Sequence, residues 1–262
     1  MKKIGLVGGI GPASTIEYYT GLIQKCQKEL GENVYPEIVI DSVNMTVHDE
    51  AFRRKDYDKL CEYLLESLSN LKAAGAEIAA ITANTEHIVW DMLLDKIPIP
   101  VISIVEAVVN TIKVGKFKRV LVFGTEFTLQ SGLYEKALQK EEIISIIPTD
   151  EDIALIGKLI YPNLENGIVV EADKKQLIDL AEKYIREKKA DAMLLGCTEL
   201  PLAIKEGDIS VPILNTTKIH IDEIYCKAAE KSTYAETIIY KEVCSCEGCG
   251  ALKKAFLIRK TI

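Results

Sequence analysis

Two short segments of the chain carry the residue types best suited to chemistry, and each follows a run typical of a buried strand. The first is ANTEH over 83–87, and the second is GCTE over 196–199. Small polar residues at the carboxyl end of a strand can present hydroxyls and backbone N–H groups to a ligand, and open α/β sheets bind ligands at this edge. The second segment holds Cys197, whereas the corresponding residue of the first is Ala83.

Cys197 and its neighbours suit proton transfer. The ordinary pKa of a thiol is about 8.5, so modest stabilisation by backbone N–H groups or a helix N-terminus gives a thiolate near neutral pH. Glu199 places a carboxylate close to this thiol and next to Thr198, which favours contact with a substrate ammonium group. Thr125 and Thr128 fit carboxylate binding, and each fits a helix N-cap equally well.

Strands and helices alternate around these residues. We expect a strand over 4–7, a glycine-rich turn, a helix over 13–30 and a strand over 76–82 that leads to the first segment. The second part of the chain repeats this order, beginning with a strand over 119–125, as a duplicated unit would.

Short turns between alternating strands and helices imply parallel sheets with right-handed crossovers. The sequence therefore predicts an α/β fold with two pseudo-symmetric lobes, each a parallel sheet flanked by helices, and an active site in the cleft between them. We assign residues 1–103 and 215–230 to the first lobe and residues 104–214 to the second. Residues 231–262 form a C-terminal extension of unknown role.

The composition excludes several classes of protein. The chain has 262 residues and a formal net charge of −7 at pH 7, which opposes general nucleic-acid binding. No window approaches the roughly 18 apolar residues that a membrane span needs, and the first residues do not resemble a signal peptide. We therefore expect a cytoplasmic protein with no nucleic-acid partner and no membrane partner.

The C-terminal extension contains Cys244, Cys246 and Cys249. A structural zinc site needs four ligands, and no histidine lies near these three thiols in the sequence. We therefore expect no metal site, and a tail that packs on the body of the protein or on a partner subunit.

Five motifs in order resemble the aspartate/glutamate racemase family. They are GGIGP over 8–12, ANTEH, GT over 124–125 with Thr128, GCTE, and PILNTT over 212–217. The resemblance implies racemisation of an amino acid without a cofactor, by two cysteines that face each other from the two lobes. One thiolate removes the α-proton and the opposite thiol delivers a proton to the other face. The resemblance also implies a homodimer and substrate-binding roles for Asn84, Thr85, Thr125, Thr128, Thr198, Glu199 and Gly11.

The chain departs from this pattern at Ala83, where the family's first cysteine would stand. Loss of one general acid or base commonly costs roughly 10² to 10⁴ in rate. Either water, Thr82 or His87 relays the second proton, or the alanine is an introduced substitution that traps substrate. As further alternatives, the chain resembles the single-cysteine decarboxylases of the same superfamily, or it is an amino-acid-binding protein.

The side chain of the substrate is expected to meet the segment after the second strand, a strand that we expect over 37–43, and we predict this segment to be a polar loop. Arg53, Arg54 or His48 could bind the distal carboxylate of aspartate or glutamate, our expected substrates. Asp49 and Glu50 in the same segment would instead suit a neutral or cationic side chain.

A nicotinamide cofactor is the weakest alternative. The glycine-rich turn has Ser14 where a dinucleotide fingerprint has its third glycine, and Pro12 removes an N–H that a pyrophosphate would use. We expect no cofactor.

Overall fold

The computed structural model describes residues 1–230. Within this range, parallel strands form two four-stranded sheets. The strands are β1 (Ile4–Gly8), β2 (Ile38–Ser42), β3 (Ile78–Ile81), β4 (Val101–Ile102), β5 (Arg119–Gly124), β6 (Ile144–Ile146), β7 (Ala192–Gly196) and β8 (Ile213–Asn215). The predictions about Cys244, Cys246 and Cys249 lie outside the described residues.

Helices connect and cover the strands. They are α1 (Pro12–Leu30), α2 (Met45–Arg53), α3 (Tyr57–Ala73), α4 (Trp90–Leu93), α5 (Ile104–Gly115), α6 (Glu126–Gln130), α7 (Leu133–Gln139), α8 (Asp150–Ile160), α9 (Glu171–Lys188), α10 (Leu200–Ala203) and α11 (Thr216–Ala228). Two 3-10 helices span Thr85–Val89 and Leu164–Asn166.

The two sheets have the same topology. The strand order is β2-β1-β3-β4 in the first sheet and β6-β5-β7-β8 in the second, with parallel pairing throughout. In the central pairs, Val7 lies beside Ile81 and Phe123 lies beside Leu195. We call each sheet with its helices a lobe, and the predicted fold class of two pseudo-symmetric parallel-sheet lobes is confirmed.

Both faces of each central strand are covered, which explains why these strands are apolar throughout. β1, β3 and β7 are buried along their whole length. In β7, Met193 and Leu195 pack into one core cluster, and Ala192 and Leu194 pack into another on the opposite face of the sheet. Alternate side chains of a strand point to opposite faces, so a continuous apolar run fills two cores at once.

The helix after the second sheet packs on the first lobe. Ile221 and Tyr225 of α11 share a core cluster with Tyr18 and Leu22 of α1. His220 ties this helix to the first lobe, because the Tyr18 hydroxyl lies 2.8 Å from its Nδ1 and its Nε2 lies 2.8 Å from the Ile102 carbonyl oxygen. The exact domain boundaries stay a prediction.

The polar loop predicted after the second strand is wrong, because this segment forms α2. The Asn44 side chain accepts a hydrogen bond from the Thr46 backbone N–H and so caps the helix. His48 and Ala51, three residues apart, form its buried side. The segment also carries Thr46, Asp49, Glu50 and Arg53, and such polar residues are typical of a loop as well.

Candidate active site

The carboxyl ends of β1, β3, β5 and β7 bring the predicted residues to the region where the two lobes meet, which we call the seam. The Gly8–Gly9 turn after β1 is close-packed: φ of Gly9 is +83°, and a Cβ atom there would lie 2.5 Å from the Val43 carbonyl oxygen. Gly11 adopts φ +75° at the N-terminus of α1, and its carbonyl oxygen accepts hydrogen bonds from Thr15 of the same helix. The turn therefore requires glycine for backbone reasons.

The first segment crosses the seam through Asn84 and Thr85. Oδ1 of Asn84 accepts a hydrogen bond from the Tyr134 hydroxyl, and its Nδ2 donates to Oγ1 of Thr216 over 3.3 Å. Oγ1 of Thr85 lies 3.1 Å from Oγ1 of Thr128 in the second lobe. These polar contacts join the two lobes at the strand ends.

Thr128 also lies 3.0 Å from Thr125, hydroxyl oxygen to hydroxyl oxygen. The Thr125 side chain accepts from the Thr128 backbone N–H, so Thr125 is the N-cap of α6. The structure thus brings together Asn84, Thr85, Thr125 and Thr128, with hydroxyls from both lobes in one group.

The second segment forms its own polar group. The Cys197 thiol donates a hydrogen bond to Oε2 of Glu199 over 2.8 Å, and the Thr198 hydroxyl donates to Oε1 of the same carboxylate over 2.8 Å. Cys197 is 4% exposed and also borders the core of the second lobe. Its thiol is therefore buried and paired with a carboxylate.

The protonation state of the Cys197 thiol differs from the thiolate expected from the sequence. Burial raises the pKa of Cys197 well above its usual range, and the charge of Glu199 raises it further. The backbone N–H groups of Glu199 and Leu200 act in the opposite direction and are outweighed. Without substrate, Cys197 is a protonated thiol and not a thiolate.

Charges from both lobes converge near this thiol. Burial, together with the charges of Glu165, Cys197, Glu199 and Asp49, raises the pKa of the Tyr161 hydroxyl to about 12. Asp49 lies on α2 of the first lobe, whereas the other three groups belong to the second. Cys197 and a first-lobe carboxylate therefore act on the same hydroxyl, and Cys197 directly follows β7, whose carboxyl end lies at the seam.

Glu199 is also close to α1. Burial and then the charge of Glu199 raise the pKa of Glu17, and Lys205 opposes them. The charge of Glu199 thus acts on a carboxyl group of the first lobe.

Two residues predicted as proton relays near Ala83 are occupied by structural hydrogen bonds. The Thr82 hydroxyl donates to the Val7 carbonyl oxygen over 3.0 Å. Nδ1 of His87 lies 3.2 Å from the Ala83 carbonyl oxygen, and its Nε2 accepts from the Ile104 N–H. Burial lowers the pKa of His87 to about 4, so its ring is neutral. Both side chains hold the strand end in place.

Two of the three cationic residues proposed for a distal carboxylate, Arg54 and His48, pair with carboxylates of the protein. Arg54 is exposed and forms an ion pair with Glu50 one turn earlier in α2. Arg53 is exposed as well. His48 is buried with its Nε2 atom 2.9 Å from Oε1 of Glu86.

The sequence analysis missed Glu86 and Tyr134. Glu86 is 1% exposed. Carboxylates are rarely fully buried, so the polarity of Glu86 predicts a surface position and not a buried one at the site. Tyr134 belongs to the second lobe, and only the fold brings its hydroxyl to Asn84 of the first lobe.

In residues 1–230, no group of three or more His, Cys, Asp or Glu residues could hold a metal ion. None of the helices in the described part of the chain combines the length and the apolar character of a membrane span.

Known proteins resemble this chain along most of its length. The model of the Asp/Glu/Hydantoin racemase family matches residues 7–224. The broad specificity amino-acid racemase of Bacillus subtilis is 26% identical over 244 residues, which cover 91% of this chain and 99% of the relative.

Solved structures agree with this match. An aspartate racemase homologue from Pyrococcus horikoshii OT3 superimposes with a TM-score of 0.80 at 33% identity, covering 87% of this chain and all of that one. Picrophilus torridus aspartate racemase gives a TM-score of 0.69 at 23% identity, covering 88% of this chain and 99% of the other, and this second likeness concerns the fold alone.

Proposed function

Because the chain belongs to the Asp/Glu/hydantoin racemase family, we propose that it is an isomerase that racemises aspartate, glutamate or a related amino acid by thiol-mediated α-proton transfer, without a cofactor. The observation that carries this proposal is the hydrogen bond from the Cys197 thiol to Glu199 near the seam. A thiol and a carboxylate in contact can act on an α-carbon and on the ammonium group attached to it.

The head group of the substrate fits the polar groups at the seam. Its ammonium group would pair with Glu199, which also accepts from Thr198. Its carboxylate would take hydrogen bonds from the hydroxyls of Thr85, Thr125 and Thr128. Asn84 uses one amide N–H for Thr216 and keeps a second one for the substrate.

Substrate binding would itself prepare the thiol. The charge of Glu199 is one of the two causes that raise the pKa of Cys197 most. An ammonium group paired with Glu199 neutralises that charge and adds a positive charge nearby, and both changes favour the thiolate. Cys197 would therefore become a base when an amino acid is bound, and would stay a protonated thiol otherwise.

The charges around the site bear on the side chain of the substrate. The carboxylates of Asp49 and Glu165 act on the same hydroxyl as Glu199. The second carboxylate of aspartate would be repelled by these negative charges, whereas a neutral or basic side chain would not be repelled. Among related amino acids, we expect those with neutral or basic side chains to react faster than aspartate.

The test is α-proton exchange in D₂O, followed by NMR, with the L and D forms of acidic, neutral and basic amino acids. We expect exchange with at least one pair of enantiomers, together with inversion. The Cys197→Ala variant should lose about 10² to 10⁴ of this rate. Binding of amino acids without any exchange would contradict the racemase and support a binding protein, and exchange without inversion would indicate one-base chemistry.

A further inference from the structure

A buried ionisable pair lies beside the strand end that lacks a thiol. Nε2 of His48 lies 2.9 Å from Oε1 of Glu86, and both side chains are buried. The other carboxylate oxygen of Glu86, Oε2, is buried and has no hydrogen-bond partner among residues 1–230. Buried polar atoms are nearly always hydrogen-bonded, so an orphaned carboxylate oxygen in this place indicates a ligand or a catalytic role.

The chain trace holds this carboxylate at the seam. Glu86 lies in the first turn of the 3-10 helix that follows Ala83. The two residues between them both reach the second lobe, Asn84 through Tyr134 and Thr85 through Thr128. Glu86 is thus fixed next to the residue that replaces the missing thiol.

His48 borders the same region from the side of α2. Its ring stacks on Phe52, with ring centroids 6.1 Å apart, and Phe52 meets the edge of Phe127 from the second lobe at 5.1 Å. Phe127 directly precedes Thr128, one of the hydroxyls proposed to hold the substrate carboxylate. The pair therefore lies under apolar rings that shield it from water and next to the proposed substrate site.

We propose that the Glu86 carboxylate is the second proton-transfer group of this site and acts on the face of the α-carbon opposite Cys197, with His48 as its positioning residue. The inference rests on the proposed racemase function. Thr82 and His87, the other polar side chains next to Ala83, are occupied by the structural hydrogen bonds described above.

The proton transfers balance as follows. In one direction Glu86 takes the α-proton, the electron pair of the broken C–H bond stays on the substrate as a carbanion delocalised into its carboxylate, and the Cys197 thiol donates its proton to the opposite face. In the other direction the site starts with the same single proton on Glu86 and with Cys197 as the thiolate; the thiolate takes the α-proton, and the Glu86 carboxylic acid donates its proton to the opposite face. After the product leaves, the protonated Glu86 gives its proton to water and the Cys197 thiolate takes one from water, so the starting state returns.

Charged neighbours act on the other member of the pair, His48. Burial lowers the pKa of His48, but the hydrogen bond and charge of Glu86, and then those of Asp49, outweigh it and raise that pKa overall. A protonated His48 places a positive charge next to the Glu86 carboxylate. The ring of Phe52, which stacks on His48, and that of Phe127, which contacts Phe52, add no charge.

The test measures α-proton exchange separately for the L and D enantiomers of an amino acid that the wild-type chain racemises. Glu86→Gln should lower racemisation by about 10² to 10⁴ and should keep exchange for one enantiomer only. Cys197→Ser should keep exchange for the other enantiomer only. Glu62→Gln, a change of the same kind on the exposed side of α3, is the matched control and should behave as the wild type.

Two further variants test the roles of the pair. Ala83→Cys in the Glu86→Gln background should restore exchange of both enantiomers, since it returns a proton-transfer group to that face. His48→Asn should lower kcat and leave KM unchanged, because His48 does not contact the substrate.

Each result separates this inference from the proposed function. No exchange by the wild-type chain overturns the proposed function. Wild-type exchange that persists for both enantiomers in Glu86→Gln overturns the inference alone. Circular dichroism and the unfolding midpoint check that each variant folds, and if Glu86→Gln does not fold, Cys197→Ser decides: exchange of both enantiomers or of neither by this variant overturns the inference.

Discussion

The ends of β3 and β7 occupy the same position in two sheets of identical strand order, yet they carry different chemistry. β7 leads to Cys197, whose thiol donates to Glu199 within the same segment. β3 leads to Ala83 and, three residues later, to Glu86, whose partner His48 comes from a different helix. The shared topology therefore fixes the position at which a reactive group can lie, whereas the residues of each local segment determine which group lies there.

The largest effect expected from this comparison concerns the carboxylate of the second lobe. Glu199→Gln removes the proposed partner of the substrate ammonium group, and a hydrogen bond to a charged group contributes about 1.5–3 kcal/mol, so kcat/KM should fall about 10- to 100-fold. The same change removes a negative charge that raises the pKa of Cys197. In the free protein, the thiol should therefore become more reactive.

The thiol reactivity can be measured without substrate. Iodoacetamide labelling at mildly alkaline pH, read by mass spectrometry on the peptide that contains Cys197, should be faster in Glu199→Gln than in the wild type. Buried Cys61 is the internal control, because its pKa responds mainly to burial. Slower labelling of Cys197 in the variant would contradict the role given to Glu199.

The next effect concerns the different response of the two lobes to acid. The chain has three histidines, and all of them pack on the first lobe. Burial lowers the pKa of His87 to about 4, and burial together with the charge of His87 lowers that of His220 to about 3. A histidine that is neutral when folded takes up protons on unfolding below its unfolded pKa of about 6.5, so the protein loses stability as the pH falls from about 6.5 towards about 4.

The expected size of this loss is about 2 kcal/mol for each of the two histidines between pH 7 and pH 5. His48 has the opposite sign, because its raised pKa favours the folded state at low pH. Urea unfolding at the two pH values measures the difference, and His87→Gln should reduce it by about half. An unchanged pH dependence in this variant would show that other groups cause the acid loss.

The sequence predicted the sheets, the family and the asymmetry between Ala83 and Cys197 because each of these is written in local segments. Apolar runs such as β1 and β7 must be buried on both faces, and the match to the family confirms the resemblance drawn from the motifs. The pairing of His48 with Glu86 could not be predicted in this way. It requires α2 to be a helix, and a polar segment with two buried residues gives too weak a signal.

The pKa of Cys197 was also beyond sequence reasoning. The motif places backbone N–H groups near the thiol, and these do lower its pKa, but burial and Glu199 act more strongly in the other direction. Which effect prevails depends on how deeply the fold buries the sulfur atom, and the motif alone does not determine this depth.

The last comparison is between two glycines at the ends of the first strands of the lobes, Gly9 directly after β1 and Gly124 as the last residue of β5. Gly9 has φ +83°, and an added Cβ would lie 2.5 Å from the Val43 carbonyl oxygen, so Gly9→Ala should lower the free energy of unfolding by about 1–3 kcal/mol. At Gly124 the nearest atom to such a Cβ is the Gly196 carbonyl oxygen at 3.4 Å, an ordinary contact. Gly124→Ala should therefore change stability by about 0.5 kcal/mol or less, as substitutions without strain do. Urea unfolding of both variants tests the contrast. Equal losses of unfolding free energy would mean that the end of β5 tolerates a side chain as poorly as the turn after β1.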